Sequence, residues 1–330
     1  HLYAIHSGYH LSCEESQDVA VSYFYLSECN NAISIVLDGL TDFMFSIQHN
    51  IPCSWSSMWT YHALTTCLLR LMRHNHLLEV CHKKGVHKVL VPIIMSKIPN
   101  LVYLVLSAFG VACNLPSFAR IFSAEEDFWH SFVVILNHNP RLERTIKDML
   151  DGSQDLEEMT WKDVFGNETE AILKHSVADV TCDSLIAAAP GLMACCRDES
   201  AMKMLIRRGG MEVLRVGTLL SNVSCVEAVT ECIQVLTEIT LEADLMVLVD
   251  SGILEACLTL ANSEEMHVRT MTITCFNNMC QNRNVRARVV KERESMKAVL
   301  LFAEADNATL QEGAAELLQQ FASLINEHEA

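Results

Sequence analysis

Proline is scarce in this chain, with six in 330 residues, and aromatic side chains make up only 7%. So little proline removes the turn punctuation of an all-β fold and leaves room for long helical runs. Leu, Val, Ile, Met, Cys and Ala abound instead, and side chains of that size suit helix-on-helix packing, where ridges settle into grooves. Positive charge is also short: 24 Lys and Arg stand against 41 Asp and Glu, for a formal net charge of −17. An acidic surface repels phosphate backbones and anionic lipid, so nucleic acid is not expected as the main partner. No apolar run is long enough for a membrane span. Pro92, Lys97, Pro99 and Asn100 interrupt the stretch 89–115, and its longest clean run, 101–113, has 13 residues. A spanning helix needs about 20.

The local patterns of catalysis are missing too. Arg207-Arg208-Gly209-Gly210 lacks the spacing of a phosphate loop and its following Lys-Ser/Thr. The patch His74, His76, Cys81, His82 and His87 lacks the close pairs that converge on zinc; it reads as a polar helix end and turn. Cys195-Cys196 has no adjoining base and oxyanion donor. No enzyme activity, metal or cofactor is therefore expected. The chain has 14 cysteines, and Cys67, Cys113, Cys232, Cys257, Cys275 and Cys280 sit in apolar helical stretches, where they behave as small hydrophobes. That usage points to a reduced compartment, the cytoplasm with the nucleus as the alternative. The first residue is His1, as in a fragment or processed chain, and the sequons at Asn167, Asn222 and Asn307 would matter only in a secreted protein.

What the chain does have is a recurrent turn. Gly85, Gly210, Gly252 and Ser295 each end a polar segment and open an apolar one; Gly210, Gly252 and Ser295 follow one another at 42 and 43 residues. Gly85 to Gly210 spans 125, close to three such periods. A period of about 40–47 residues in helical sequence marks stacked α-repeats, because one unit cannot bury its apolar face alone. In the unit after Gly252, apolar residues fall at Ile253, Leu254, Cys257, Leu258 and Leu260, then after a polar turn at Val268, Met271, Cys275, Phe276 and Met279. The units before and after have the same layout, with second stripes at Val226, Val229, Cys232, Ile233, Leu236 and Ile239, and at Leu310, Ala314, Leu317, Leu318 and Phe321. Trp129, Phe132, Val133, Ile135 and Leu136 form another buried stripe.

These units resemble armadillo repeats, in which a short first helix leads through a glycine turn into two longer antiparallel helices. The residues 245–252 match the short helix and its turn. Cys275-Phe276-Asn277-Asn278-Met279-Cys280 matches the Leu-x-Asn-Leu signature late in the third helix, as does Val111-Ala112-Cys113-Asn114-Leu115. The resemblance runs through 171–325 and 60–122; HEAT repeats share the superhelical logic. The expected fold is all-α, a right-handed α-α superhelix of six to seven armadillo-like repeats. Residues 1–59 form a degenerate N-terminal helical cap and 60–330 the solenoid, with an acidic insertion near 150–168. Nothing in the pattern fixes an oligomeric state.

The resemblance also implies where a partner would sit. In armadillo proteins that bind extended peptides, third-helix asparagines line a concave groove and bond the ligand backbone. Asn114 and Asn278 match that slot, while Arg70, Leu192, Glu238 and Gln320 occupy it elsewhere, so the asparagine ladder is broken. The paired tryptophans of nuclear-import receptors are absent from these positions. Asn114 and Asn278 serve equally well as caps or cross-links between helices. The expected role is a non-catalytic protein-protein interaction scaffold or adaptor holding a protein partner, by charge a basic or extended segment, on its concave surface. The candidate residues are Asn114, Glu238, Asn278 and Gln320, with Arg283 and Arg286 from the stripe of Arg283, Arg286, Arg288, Lys291 and Arg293 on a neighbouring face. The alternatives are a client-binding solenoid similar to myosin-chaperone armadillo domains, and a small-GTPase regulator.

Overall fold

The structure is a computed structural model that describes residues 31–43, 45, 55–95, 99–136, 177–241 and 244–329. The expected acidic insertion near 150–168 and residues 1–30 of the expected cap lie outside the described residues. Two helices, α1 (31–43) and α2 (Trp55–Met72), precede five three-helix units. The first unit is α3 (Asn75–Lys83), α4 (His87–Met95) and α5 (Pro99–Ala112). The second is α6 (Pro116–Ala124), α7 (Glu126–Leu136) and α8 (Val177–Arg197). The third is α9 (Glu199–Arg207), α10 (Gly210–Gly217) and α11 (Val223–Ile239). In the fourth, α12 (Leu245–Leu248) passes through a widened turn, Val249–Ile253, into α13 (Leu254–Ala261) and α14 (Met266–Cys280). The fifth is α15 (Arg283–Lys291), α16 (Arg293–Ala303) and α17 (Ala308–Glu329). No strand occurs among the described residues.

Side-chain chemistry sets the element ends. Asp198, Asn222 and Asn282 cap α9, α11 and α15, each accepting from a backbone N–H of the first turn, and Asn307 does the same for Leu310 in α17. Pro116 opens α6, where its missing N–H is no loss. The turn from first to second helix holds Gly85, Gly209 and Gly252 at φ of 72°, 94° and 97°, a left-handed conformation that a β-carbon disfavours. The equivalent turns at Glu125 and Glu292 are extended instead.

Two details of the expected period are corrected by this geometry. The residue in the left-handed turn is Gly209, whereas Gly210 is the buried first residue of α10. Ser295 lies inside α16, buried, its hydroxyl bonded to the Glu292 carboxylate at 2.8 Å; the turn is at Glu292. Between Gly85 and Gly210 the described residues hold one intermediate turn, at Glu125. Residues 137–176 of that interval lie outside the described residues, which form five three-helix units and a preceding pair.

Each helix class stacks on its own kind. The third helices α5, α8, α11, α14 and α17 pack in succession, with α2 against α5; the second helices α4, α7, α10, α13 and α16 form a parallel layer. One continuous core runs from Ile33 to Phe321. The few aromatics concentrate in it: Phe109, Phe118, Phe122, Phe128, Trp129 and Phe132 are all fully buried, and Trp129 donates its indole N–H to the Ser123 carbonyl at 3.1 Å. The helical cysteines are free, and Cys113, Cys232, Cys257, Cys275 and Cys280 are buried, as expected of small hydrophobes. Burial pushes the Cys280 thiol up to about 12 and that of Cys81 to about 12 as well, so neither ionises near neutrality.

The tightest contact between third helices is at Gly110 of α5, where a β-carbon would lie 2.3 Å from the Ala187 carbonyl oxygen of α8. Alanine is worth about 1 kcal/mol over glycine inside a helix. A backbone oxygen cannot rotate away, so the clash outweighs that gain. Gly110→Ala is expected to destabilise the solenoid by about 1–3 kcal/mol, read as a lower urea midpoint; an unchanged midpoint would show that the two backbones do not touch.

Candidate interaction surface on the third helices

The stacking leaves each third helix with one open face. In α11, Cys225, Val229, Thr230, Cys232, Ile233, Leu236 and Thr237 are buried against α8, α14 and α10. The helical period then turns Ser224, Glu227, Glu231, Gln234 and Glu238 away from the second-helix layer. The corresponding stripes carry Tyr103, Ser107 and Val111 on α5, Asp183, Ile186, Pro190 and Met193 on α8, and Thr270, Thr274 and Gln281 at and beyond α14. The surface is graded along its length. Its α5–α8 half carries large apolar side chains beside Ser107 and Asp183, with Tyr103 and Ile186 41% and 40% exposed, while α11 presents a row of carboxylates.

Asn114 is exposed in the turn after α5 and lines an open depression of about 560 Å³ with Cys113, Pro116, Pro190, Met193, Ala194, Arg197 and Asp198. Pro190 lies inside α8 and has no N–H to return to the Ile186 carbonyl, which leaves an acceptor on the exposed stripe. At the rim, Arg120 of α6 grips Asp198 with two nitrogens, Nη2 at 2.8 Å and Nε at 3.1 Å, while Asp198 caps α9. The Arg120 hydrogen bond and the α9 backbone hold the Asp198 carboxyl below its usual range despite some desolvation.

Asn278 meets Thr237 rather than Glu238: it donates Nδ2–H to the Thr237 hydroxyl at 3.4 Å, while Glu238 is exposed. Its chain neighbour Asn277 reaches the other way, donating to the Gly313 carbonyl of α17 at 3.3 Å, with its own Oδ1 buried and unpaired. Adjacent amides thus brace α14 against α11 on one flank and α17 on the other. Asn277 was not singled out by sequence, though it stands in the same signature. Asn114 lies apart from this group, beside α8.

Gln320 and Arg286 also meet, but the contact is internal. The Arg286 guanidinium donates to the carbonyls of Cys280 at 2.9 Å, Gln281 at 3.2 Å and Gln320 at 3.3 Å, and to the Ser323 hydroxyl at 3.1 Å. It closes the exposed C-terminal end of α14 and ties it to α17. The Gln320 Oε1 is buried without a partner. Arg283 is exposed at the start of α15, and Arg288 pairs with Asp250 of the preceding unit at 2.6 Å. Glu227, Glu231 and the depression around Pro190 were not picked out either; the spacing Ser224, Glu227, Glu231, Glu238 is the signal that marks them.

No group of three or more His, Cys, Asp or Glu that would hold a metal occurs among the described residues, and no described helix is long and apolar enough to cross a membrane. Cys196 is held neutral by its hydrogen bond to Cys232 and by burial, far from the behaviour of a nucleophile.

Two outcomes follow from the polar contacts. Arg286→Ala strands several carbonyls and should destabilise the last unit by about 1–3 kcal/mol, seen as faster amide exchange in α17. Arg286→Lys should not restore protection, since a point charge cannot serve four acceptors. Asp198 has a folded pKa below its unfolded one, so its contribution is present at neutral pH and lost as pH falls through the depressed value. Asp198→Asn should lower the unfolding midpoint at pH 7, and its gap from the parent chain should narrow below pH ~4; a constant gap would contradict the assignment.

No family model and no curated protein matches the chain. Among solved structures, a computationally designed armadillo repeat protein for modular peptide recognition superposes with a TM-score of 0.51 at 12% identity, covering 86% of this chain and 99% of the other. An engineered protein gives a TM-score of 0.48 at 12% identity over 86% of this chain and 99% of its own. A designed armadillo repeat protein in complex with the peptide (KR)4 gives 0.44 at 11% identity over 84% and 98%. The three-layer stack of three-helix units, taken with the first of these, shows that the chain has the fold of an armadillo-repeat solenoid.

Proposed function

We propose that this solenoid is a non-catalytic scaffold that holds an extended, basic segment of a partner protein along the exposed faces of its third helices. The carboxylate row on α11 carries the reading. Glu227 and Glu231 are one helical turn apart, Glu238 follows two turns on, and none of the three has an ion-pair partner among the described residues. Like charges four residues apart cost a helix a few tenths of a kcal/mol. A cationic ligand relieves that repulsion, and the net charge of −17 draws it in from a distance.

The α5–α8 half of the stripe completes the specificity. Tyr103, Ile186 and the depression beside Asn114 and Met193 offer a seat for one or two bulky side chains. The Ile186 carbonyl offers an acceptor to an extended backbone. The favoured ligand therefore carries an apolar residue at one end and Lys or Arg at the other. The fold likeness to a protein designed for modular peptide recognition is consistent with this use of the surface.

The test is fluorescence anisotropy with a labelled peptide of alternating Lys and Arg carrying a terminal Leu-Phe. Glu227→Gln, Glu231→Gln and Glu238→Gln together should weaken binding by roughly tenfold, as expected for three half-exposed charge contacts of a few tenths to 1 kcal/mol each. Raising the salt should weaken the parent chain in the same direction. Glu304→Gln, on the far layer, should leave binding unchanged. Equal affinity for the triple variant and the parent would overturn the proposal. Preferential binding of unfolded proteins, indifferent to the substitutions, would favour the client-binding alternative.

A further inference from the structure

Thiols meet in pairs along the inner layers of the solenoid. Cys113 lies against Cys195, Cys196 against Cys232, Cys257 against Cys275, and Cys182 against Cys225. In the first three pairs both members are buried, so no reagent from solvent reaches them. The fourth differs. Cys182, in the second turn of α8, is half-exposed, while Cys225, in the first turn of α11, is buried beneath it. The Cys225 thiol reaches the Cys182 carbonyl at 3.4 Å and also contacts the Cys182 thiol.

We propose that Cys182 and Cys225 are a thiol-modification site that forms a reversible disulfide with a low-molecular-weight disulfide such as oxidised glutathione as the oxidant. The Cys182 sulfur, after losing its proton, attacks one sulfur of the reagent, breaking its S–S bond and releasing one glutathione thiolate, which takes up a proton. The Cys225 thiol then gives up its proton, and its sulfur attacks the Cys182 sulfur. That second exchange releases the other glutathione. The two cysteines lose two electrons and two protons, and the reagent disulfide gains both.

Position favours the second exchange and acidity slows it. Burial first, then the neighbouring Cys182 thiol and the Asp183 carboxylate, push the Cys225 thiol up to about 12, so little thiolate is present at neutral pH. Proximity compensates: two sulfurs already in contact react at a high effective concentration. The outcome is a covalent tie between the third helices of two consecutive repeats. It lies beside Asp183 and Ile186 on α8 and Ser224 and Glu227 on α11, where it fixes the spacing of two rows of the exposed stripe. A solenoid flexes by small changes at each repeat interface, and this bond removes one of them.

The experiment treats the whole chain with millimolar oxidised glutathione, blocks remaining thiols by alkylation and maps peptides without reduction. The expected result is a cross-linked peptide joining Cys182 to Cys225, reversed by dithiothreitol. The oxidised chain should also melt higher by about 5 °C or more, as a disulfide closing a loop of this length would require. Cys182→Ser, at a half-exposed position that tolerates the hydroxyl, should abolish both the cross-link and the shift. Cys225→Ser should leave glutathione stranded on Cys182. Persistent glutathione on Cys182 of the parent chain, a cross-link between other cysteines, or no thiol loss would each overturn the proposal.

Discussion

The contact of third helix upon third helix is the constraint on which everything else here depends. A three-helix unit has too little interior to bury its own apolar stripe, so each unit is completed by the next. The approach is close enough that side chains must disappear at chosen points: Gly110 meets the backbone of α8, and Gly313 of α17 meets Ile273 of α14 at a separation where a β-carbon would stand 2.7 Å from its Cγ1. With the flanks committed to neighbours and the back to the second-helix layer, one face of every third helix is left open. The open face is thus a consequence of stacking, and its side chains are not constrained by the packing of the core.

Apolar layers alone would slide. The polar contacts between units supply register: Arg120 to Asp198, Arg288 to Asp250, Asn278 to Thr237, and Asn277 to the Gly313 carbonyl. Exposed ion pairs of this sort contribute little stability on their own. Their value is geometric, because each is made only at one offset of neighbouring helices. Arg286 does more, since it satisfies carbonyls at the end of α14 that have no following helical N–H. Its contacts with the Gln320 carbonyl and the Ser323 hydroxyl tie α17 to the end of α14.

The fold was legible because its signals are additive: apolar stripes, a near-constant period and turn residues all point the same way. The stripes at Ile253–Leu260, Val268–Met279 and Trp129–Leu136 are the buried faces seen in the structure. Where a turn is made without glycine, as at Glu125 and Glu292, the period lost its marker, and Ser295 stood in for a turn three residues earlier. The site was less legible. A sequence places Asn278 and Glu238 on the right helices, but whether an amide faces solvent or a neighbouring hydroxyl depends on the helix beside it. Arg283 and Arg286 look alike in sequence, both in a basic run, yet one is exposed and the other encloses the end of α14. Three residues in a helix are about 300° of rotation, and that is enough to separate a surface charge from an interior clamp.

The interval between the end of α7 at Leu136 and the start of α8 at Val177 is far longer in sequence than in the other units. Even so, α8 packs between α5 and α11 as the other third helices do. Burying a single large apolar side chain is worth about 1.5–3 kcal/mol, and α8 buries Leu185 and Leu192 together with Ala188, Cys195 and Cys196. That packing holds α8 in line with the other third helices. A solenoid of this kind keeps its period in space while losing it in sequence, because only helices are obliged to fit their neighbours.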